Sequence, residues 1–450
     1  MMVTIQSKVV LMALCIGEAA WLLLAKTTGS MILLLPCLLC FLTLIAWSAL
    51  HDMVFPMLLF FLPFSTLLKI QPGATSFYTL ALLLAYLIYA VRGIKNISIK
   101  HMVPGLALFA MVLVVRTLYG ESLDSELIFF FLILLLAPFF QRELGEKYDF
   151  FYVTLCFTVG IVIAAFTSRM LLGYSTIRQY INIHEYSGLV RYSGFYGDPN
   201  FYSAHITAAL GGVMVMLINE SKKIRIVALL LMATLLVYCG TLSVSKSFFL
   251  IGISLLLLWL FAFMFQKGKI TVKITLLLIM LVLTMVLLAS TVFNEQIMML
   301  LGRFAQDNNL SDFTTKRTDK WIYYIKAIVG DLRLLLFGRG FSRVLINDIA
   351  AHNTIIQCIY QFGVLGSMML TVWIVYYIRT LLKDTRSEKK HFVQIAILLI
   401  GGIGPWVGLD MLQFDEFFLI PMYLCVGMMF LAHQHEEEIP YVPENTGGEV

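Results

Sequence analysis

Hydrophobic residues are grouped along the chain in long blocks that are separated by polar segments. A helix of about 20 apolar residues crosses the roughly 30 Å hydrocarbon core of a bilayer, and most of these blocks approach that length. The pattern predicts an all-α, polytopic membrane bundle of about 12–14 transmembrane helices with two long outer loops. The fourteen predicted spans lie near residues 9–25, 30–50, 53–68, 76–91, 102–118, 125–140, 150–168, 201–218, 226–240, 247–265, 273–292, 353–378, 392–409 and 416–432.

Composition excludes a soluble globular protein. Hydrophobic residues make up 60% of the 450 residues and charged residues only 13%, whereas a soluble domain carries roughly a quarter charged residues. The formal net charge is +5, but the cations form no stripe interleaved with aromatics, so we expect no nucleic-acid partner. The seven cysteines all lie in apolar blocks, where they behave as small hydrophobes, and no zinc site or disulfide framework is expected.

Lysine and arginine in the short loops indicate the orientation, because cytoplasmic loops carry an excess of these residues. Every second short loop between residues 92 and 391 is basic, and the alternate loops hold almost no lysine or arginine. We therefore expect both termini in the cytoplasm. The loops assigned to the inner side are those at 92–100, 142–147, 222–225, 267–273 and 379–390.

The span pattern divides the chain into six segments. Two long outer segments, 169–200 and 293–352, separate three groups of transmembrane helices, and a polar, acidic tail follows that we expect to be disordered. Long segments are translocated largely regardless of charge, so the many cations of the outer segments predict an anionic partner. The helical groups are 1–168, 201–292 and 353–433, and the tail is 434–450.

The end of the first outer segment carries one group of candidate residues. Asp198 suits the N-cap of the following span and Pro199 its first helical position. A helix N-terminus also offers unpaired N–H groups that bind phosphate, and Arg191 can add a bidentate contact to the same phosphate. A capped helix start alone explains the Asp-Pro pair equally well. His205 shares a helix face with Asp198 and is expected to pack within the bundle.

The second outer segment carries another group of candidates. His352 lies at the outer mouth of the twelfth predicted span, where a neutral imidazole can take a proton from a hydroxyl. An interfacial histidine is the alternative interpretation, and Asn353 is equally explained as a helix cap. Arg303 and Arg317 lie upstream, with Trp321 close to the latter. Aromatic residues beside arginine suit either an interfacial helix or a sugar-stacking platform.

Further charges fall at or within apolar blocks. Lys246 opens the tenth predicted span and either contacts an anion or snorkels to the membrane surface. Glu18 and Arg116 are candidate functional residues by their position at or within apolar blocks alone. The alternatives are an intrahelical pair for Glu18 and, for Arg116, a side chain that snorkels to the outer membrane edge. Gly338-Arg339-Gly340 is too short for a phosphate loop. The sequence therefore shows no nucleotide-binding motif, and the energy must come from the substrate or from a gradient.

In combination, these motifs resemble the O-antigen ligase and O-antigen (polysaccharide) polymerase family of bacterial membrane glycosyltransferases. The matching features are Arg-x-Ser-Gly-x-x-x-Asp-Pro-Asn before a span, Ser-Lys opening a later span, Thr-Lys-Arg ahead of Trp, Gly-Arg-Gly, and His-Asn leading into Gln-Phe-Gly-Val-Leu-Gly. The motifs cover roughly residues 190 to 366, and the remaining spans agree in hydropathy only. Each motif is weak alone, but their order and shared outer location make the set fairly specific.

The resemblance implies a metal-independent, cofactor-free glycosyltransferase of the C-type fold class, multi-pass in the bacterial cytoplasmic membrane with its active site on the outer face. The implied donor is an undecaprenyl-diphosphate-linked oligosaccharide. His352 matches the histidine that activates the acceptor hydroxyl, and Arg191 and Arg317 match the arginines that hold the diphosphate as it leaves. Asp198 and Asn200 match the motif that positions the loop bearing Arg191. The other residues expected to contact substrate are Lys246, Arg303 and Asn353.

This chain departs from the family's pattern at two positions. The family usually has Ser-Arg where this chain has Ser245-Lys246, which replaces a bidentate fork with a point charge. It often has Glu where this chain has Gln361. The resemblance therefore assigns no acidic role at residue 361.

Polymerisation of lipid-linked repeat units is the leading hypothesis, with membrane lipid and a chain-length regulator as the further partners considered. A ligase that transfers the glycan to a lipid, protein or wall acceptor shares the same motifs, so the sequence leaves the acceptor open. A lipid-linked glycan transporter is the alternative from another class, because fourteen spans with both termini inside suit a flippase. A transporter should place ionisable residues at mid-membrane, whereas here the charges concentrate in the outer segments. A non-catalytic scaffold leaves those basic segments unexplained.

Overall fold

Helices corresponding to thirteen of the fourteen predicted spans are present in the computed structural model. The span predicted at 273–292 lies outside the described residues except for its last two, and the tail from residue 437 also lies outside them. The structure describes residues 5–93, 102–142, 148–181, 183–186, 189–265, 291–305, 311, 314–342, 344–381 and 391–436.

The N-terminal part of the bundle is helical up to a small hairpin in the first outer segment. A short 3₁₀ turn, Leu62–Phe64, extends the third helix. The elements are α1 (Ile5–Thr28), α2 (Met31–Leu50), α3 (Val54–Phe61), α4 (Phe77–Gly93), α5 (Val103–Leu118), α6 (Ser125–Arg142), α7 (Phe150–Met170), α8 (Ser175–Arg178), β1 (Ile183–Tyr186) and β2 (Leu189–Tyr192).

The remaining described elements are all helical. A 3₁₀ turn, Gly404–Gly408, follows the penultimate helix. The elements are α9 (Pro199–Asn219), α10 (Lys223–Leu242), α11 (Lys246–Phe265), α12 (Thr291–Ala305), α13 (Arg317–Gly330), α14 (Leu332–Phe337), α15 (Thr354–Leu381), α16 (Phe392–Gly402) and α17 (Glu416–Glu436).

The length and apolarity of these helices define an all-α, multi-pass membrane protein. Within the described part of the chain, seven helices are long and apolar enough to cross a bilayer, namely α1, α2, α7, α9, α10, α11 and α15. Six shorter apolar helical segments accompany them, built on α3, α4, α5, α6, α16 and α17.

Helix α9 lies at the centre of the bundle. Of its most apolar stretch, 94% is buried inside the protein, against 22% for α11, which therefore lies at the periphery. Small residues let α9 and α16 approach closely, because a Cβ on Gly401 would lie only 2.7 Å from the carbonyl oxygen of Thr207. The Thr207 hydroxyl donates to the Gly401 carbonyl at 2.9 Å. The start of α9, with its Asp-Pro-Asn motif, is thereby fixed relative to the C-terminal helices.

The outer segments contain more secondary structure than the predicted long loops. The first contains α8 and an antiparallel hairpin that the sequence did not predict, in which His184 is the register partner of Arg191. The second contains most of α12 and all of α13 and α14. Regular structure in both segments holds the basic residues of their described parts at defined positions beside the bundle.

Candidate functional site

Arg191 is fixed at the end of β2 by neutral acceptors. Its Nε donates to the Ser243 carbonyl at 3.0 Å, and its Nη2 donates to the Asn200 side-chain oxygen at 3.2 Å. The Ser245 hydroxyl donates to that same oxygen at 3.0 Å. Asn200 thus joins the hairpin, the start of α9 and the turn between α10 and α11. An arginine oriented by amide and carbonyl groups keeps its full charge for an anionic ligand.

The start of α9 has the geometry that the sequence predicted. Asp198 is the N-cap, its carboxylate accepts from the Asn200 backbone N–H at 2.6 Å, and Pro199 occupies the first turn. This arrangement satisfies one of the orphan N–H groups at the helix start. The predicted cap at Asp198 is therefore confirmed, and the same contact brings Asn200 into position for Arg191.

Arg303 comes to the same place from α12. Its side chain is buried, and its guanidinium donates to the Val244 carbonyl, one residue along from the carbonyl that holds Arg191. Lys246 follows in the same turn, with its ammonium 5.4 Å from the centre of the Phe304 ring. The turn between α10 and α11 therefore presents two successive carbonyls to two arginines.

Arg317 at the start of α13 completes a group of three arginines, which we call the basic cluster: Arg191, Arg303 and Arg317. The Arg317 guanidinium lies against Gly408, where a Cβ would overlap it. Burial, together with the charges of Arg303 and Arg317, lowers the pKa of Arg191 to about 10, although Asp198 opposes the shift. Like charges thus lie close together, and their mutual repulsion favours an anionic ligand.

His352 and Asn353 are held by a carboxylate that the sequence did not single out. Their backbone N–H groups donate to the two oxygens of Asp410, at 2.9 and 3.0 Å. The Asn353 side-chain oxygen accepts from the N–H groups of Ile355 and Ile356, which confirms its cap interpretation. Asp410 falls in one of the alternate short loops without lysine or arginine, and the sequence of that loop gave no sign of a partner 58 residues away.

The imidazole of His352 is kept neutral by its surroundings. Burial lowers its pKa below the usual 6.5, and the charges of Lys320 and Arg317 lower it further, while Asp410 and Asp198 oppose them. The backbone of His352 adopts a left-handed conformation with φ of 50°, and its carbonyl lies 3.4 Å from the Trp321 indole nitrogen. The structure therefore brings His352, Asp198 and the basic cluster within electrostatic reach of one another.

Two other candidates have structural roles. The Gln361 amide pairs with the backbone of Ser342, accepting from its N–H at 2.7 Å and donating to its carbonyl at 2.8 Å. A glutamate could not make the second bond while ionised. Arg116 is buried rather than extended to the membrane edge, so the snorkel interpretation is wrong. Its guanidinium donates to the Phe341 carbonyl and to Asp124, both at 2.8 Å.

The remaining candidates lie inside the bundle. Glu18 accepts from the Cys37 thiol of α2 at 3.2 Å, so the contact is between helices and not the intrahelical pair considered above. His205 is buried as predicted, with its Nε2 3.1 Å from a Glu416 oxygen. The Tyr196 hydroxyl donates to that oxygen at 2.5 Å. His205, Tyr196 and Glu416 thus form a buried polar cluster where α9 meets α17.

Within the described residues, no group of three or more His, Cys, Asp or Glu side chains is arranged to hold a metal ion. The chain matches no protein-family model and no curated protein. The structure thus defines the protein as an all-α, multi-pass membrane protein in which arginines from three elements meet a neutral histidine.

Proposed function

We propose that this protein is a membrane glycosyltransferase that polymerises glycan repeat units from an undecaprenyl-diphosphate-linked donor. The observation that carries the proposal is the convergence of the basic cluster with His352, because these side chains come from separate elements of the chain. Cations and a base in one place suit a displacement that releases an anion and takes up a proton.

The basic cluster supports release of a diphosphate. When C1 of the donor sugar is attacked, negative charge grows on the diphosphate oxygens, and preorganised guanidinium groups stabilise that charge. Arg191 donates to a backbone carbonyl and a side-chain amide, and Arg303 donates to the next carbonyl of the same turn, so both guanidinium groups are oriented before a donor binds. The bond to the lipid diphosphate supplies the free energy, so the proposal needs no nucleotide.

His352 supports activation of the acceptor. A neutral imidazole takes the proton of the acceptor hydroxyl as that oxygen bonds to C1, and the bond from C1 to the diphosphate oxygen breaks. The carrier lipid leaves with its diphosphate, and the proton remains on His352. A positioned base of this kind contributes about 10² to 10⁴ in rate.

The experiment that tests the proposal is polymerisation in liposomes that contain the host's own lipid-linked repeat unit. We expect a ladder of lengthening lipid-linked glycans from wild type and none from His352→Ala. His51→Ala is the matched control, because His51 is exposed outside the site and should retain the ladder. A His352→Ala protein that is equally inserted and makes normal product would overturn the assigned role.

The same liposomes separate the alternatives. Loss of the donor glycan to an added acceptor without a ladder would identify a ligase. A transporter is favoured by one observation, the buried His205 and Glu416 pair within the bundle, because buried ionisable groups often mark pathways through membrane proteins. Movement of the lipid-linked glycan between leaflets, without chemical change, would identify that activity.

A further inference from the structure

A cavity of about 670 Å³ adjoins the basic cluster. Its lining includes Asp198, the same carboxylate that raises the pKa of Arg317 and His352 against the effect of burial. The volume is within the range of small-ligand sites, about 300–1,000 Å³. A ligand in the cavity would therefore lie next to a donor diphosphate held by the arginines.

The walls of the cavity combine two kinds of surface. One part is polar and acidic, where the Thr79 hydroxyl donates to Asp415 at 2.9 Å and Glu416 follows directly. Another part is aromatic, where the rings of Phe201 and Phe414 lie 4.6 Å apart. Sugars match this combination, because their hydroxyls pair with carboxylates and their C–H faces pack on aromatic rings.

The cavity differs from the basic cluster in the sign of its charge. Its lining carries the carboxyl groups of Glu126, Asp198, Asp415 and Glu416 against one cation, Lys69, so its net charge disfavours a diphosphate. Carboxylates instead accept hydrogen bonds from neutral sugar hydroxyls. Burial and Glu416 raise the pKa of Asp415 to about 7, against the opposing effects of Thr79 and Lys69. Near neutral pH this carboxyl can therefore accept or donate hydrogen bonds, which suits a ligand with many hydroxyls.

We propose that this cavity is the saccharide subsite for the acceptor glycan, with Thr79, Asp415 and Phe414 as residues that bind its sugar rings. The proposal rests on the proposed glycosyltransferase function, because it places the acceptor beside the donor diphosphate. The acceptor hydroxyl would then approach His352 from the cavity side, across Asp198.

The test uses the lipid-free repeat-unit oligosaccharide, released by mild acid from the host's lipid-linked glycan, in calorimetric titration of the purified full-length protein. We expect Phe414→Ala and Thr79→Val each to weaken binding by about tenfold or more, because each removes a direct contact. Arg317→Ala should leave this binding unchanged, because the probe carries no diphosphate. Phe392→Ala is the matched control, since Phe392 is 74% exposed and does not line the cavity.

Absence of binding to wild type, or wild-type affinity in both cavity variants, would overturn the subsite. Loss of binding in Arg317→Ala would also overturn it, by placing the saccharide at the basic cluster. Turnover of the lipid-linked donor distinguishes the two proposals. If wild type makes polymer and the cavity variants retain its KM for the acceptor, the subsite fails alone, whereas saccharide binding without transfer refutes the proposed function alone.

Discussion

His352 acts as a base only while its imidazole is neutral, so the charges around it set the lower pH limit of the proposed reaction. Burial lowers its pKa, and Lys320 and Arg317 lower it further. The rate should therefore be full above the lowered pKa and fall as the pH drops through it. That acid limb should lie below the usual histidine value of about 6.5.

Lys320→Gln should move the acid limb to higher pH, because it removes the cation that, after burial, most lowers the pKa of His352. The expected shift is a few tenths to about one pH unit, as for a nearby charge in a partly solvated site. The measurement is kcat/KM against pH. Lys326→Gln makes the same charge change at an exposed position of α13 and should keep the wild-type limb. Coincident limbs for Lys320→Gln and wild type would contradict this electrostatic account.

Arg317→Lys tests the bidentate geometry of the Arg317 guanidinium separately from its charge. Lysine keeps the positive charge but offers a point donor in place of two parallel N–H groups. Losing one charged hydrogen bond in the transition state corresponds to a decrease in kcat of about 10- to 100-fold. Arg333→Lys, at an exposed position of α14, should turn over normally. Wild-type turnover by Arg317→Lys would mean that Arg317 makes no bidentate contact with the leaving group.

Local residue rules predicted part of the site and missed its long-range contacts. The cap at Asp198 was predictable because the carboxylate and the N–H that it binds are two residues apart. Asp410 was not, because its bonds to His352 and Asn353 connect distant parts of the chain. The carbonyls of Ser243 and Val244 that orient Arg191 and Arg303 could not be predicted from the sequence either, because every residue carries a backbone carbonyl.

Among the elements, α15 has a break that hydropathy cannot detect. Gly363 has φ of 65° within an otherwise helical segment that the sequence predicted as one span. The break leaves carbonyls that accept from the loop preceding α15, since the N–H of Arg339 donates to the Tyr360 carbonyl at 2.8 Å and that of Gly340 to the Gln361 carbonyl at 2.9 Å. These bonds fix the Gly-Arg-Gly turn against α15.

Gly363→Ala should destabilise the protein by about 2–5 kcal/mol, because a left-handed backbone penalises Cβ and because that Cβ would overlap the Leu336 carbonyl. The measurement is the thermal unfolding midpoint in detergent, which should fall by several degrees. Gly252→Ala, in α11 with open space around it, should leave the midpoint unchanged or raise it slightly. Equal midpoints for Gly363→Ala and wild type would show that the break is not required.

The apolar surface of α13 favours an interfacial helix over a sugar-stacking platform, the two interpretations given to its aromatic residues. Ile322, Ile325 and Val329 are exposed and follow one another at spacings of three and four, so they form a stripe along the helix. Such a stripe suits a helix that lies on the membrane surface.

The hairpin of the first outer segment was missed because its two four-residue strands are too short for a clear alternation of apolar and polar positions.

Over the whole molecule, the site lies at one end of the bundle. Helices α9, α11 and α15 begin there and α10 ends there, since Asp198, Ser243, Lys246 and Asn353 flank those ends. This alternation of chain direction is what the predicted spans required. The side of the membrane that this end faces is still a prediction from loop charge alone.

Thiol labelling in intact cells tests that orientation. Asp348→Cys lies in an exposed turn beside the site, and Ser221→Cys lies in the exposed turn between α9 and α10 at the opposite end. The seven native cysteines are free and buried or partly buried, so they should contribute little background. A membrane-impermeant maleimide should label Asp348→Cys directly and Ser221→Cys only after permeabilisation, because the loop bearing Ser221 is basic and is therefore predicted to lie in the cytoplasm. The reverse pattern would place the basic cluster in the cytoplasm, where a glycan carried on the outer leaflet could not reach His352.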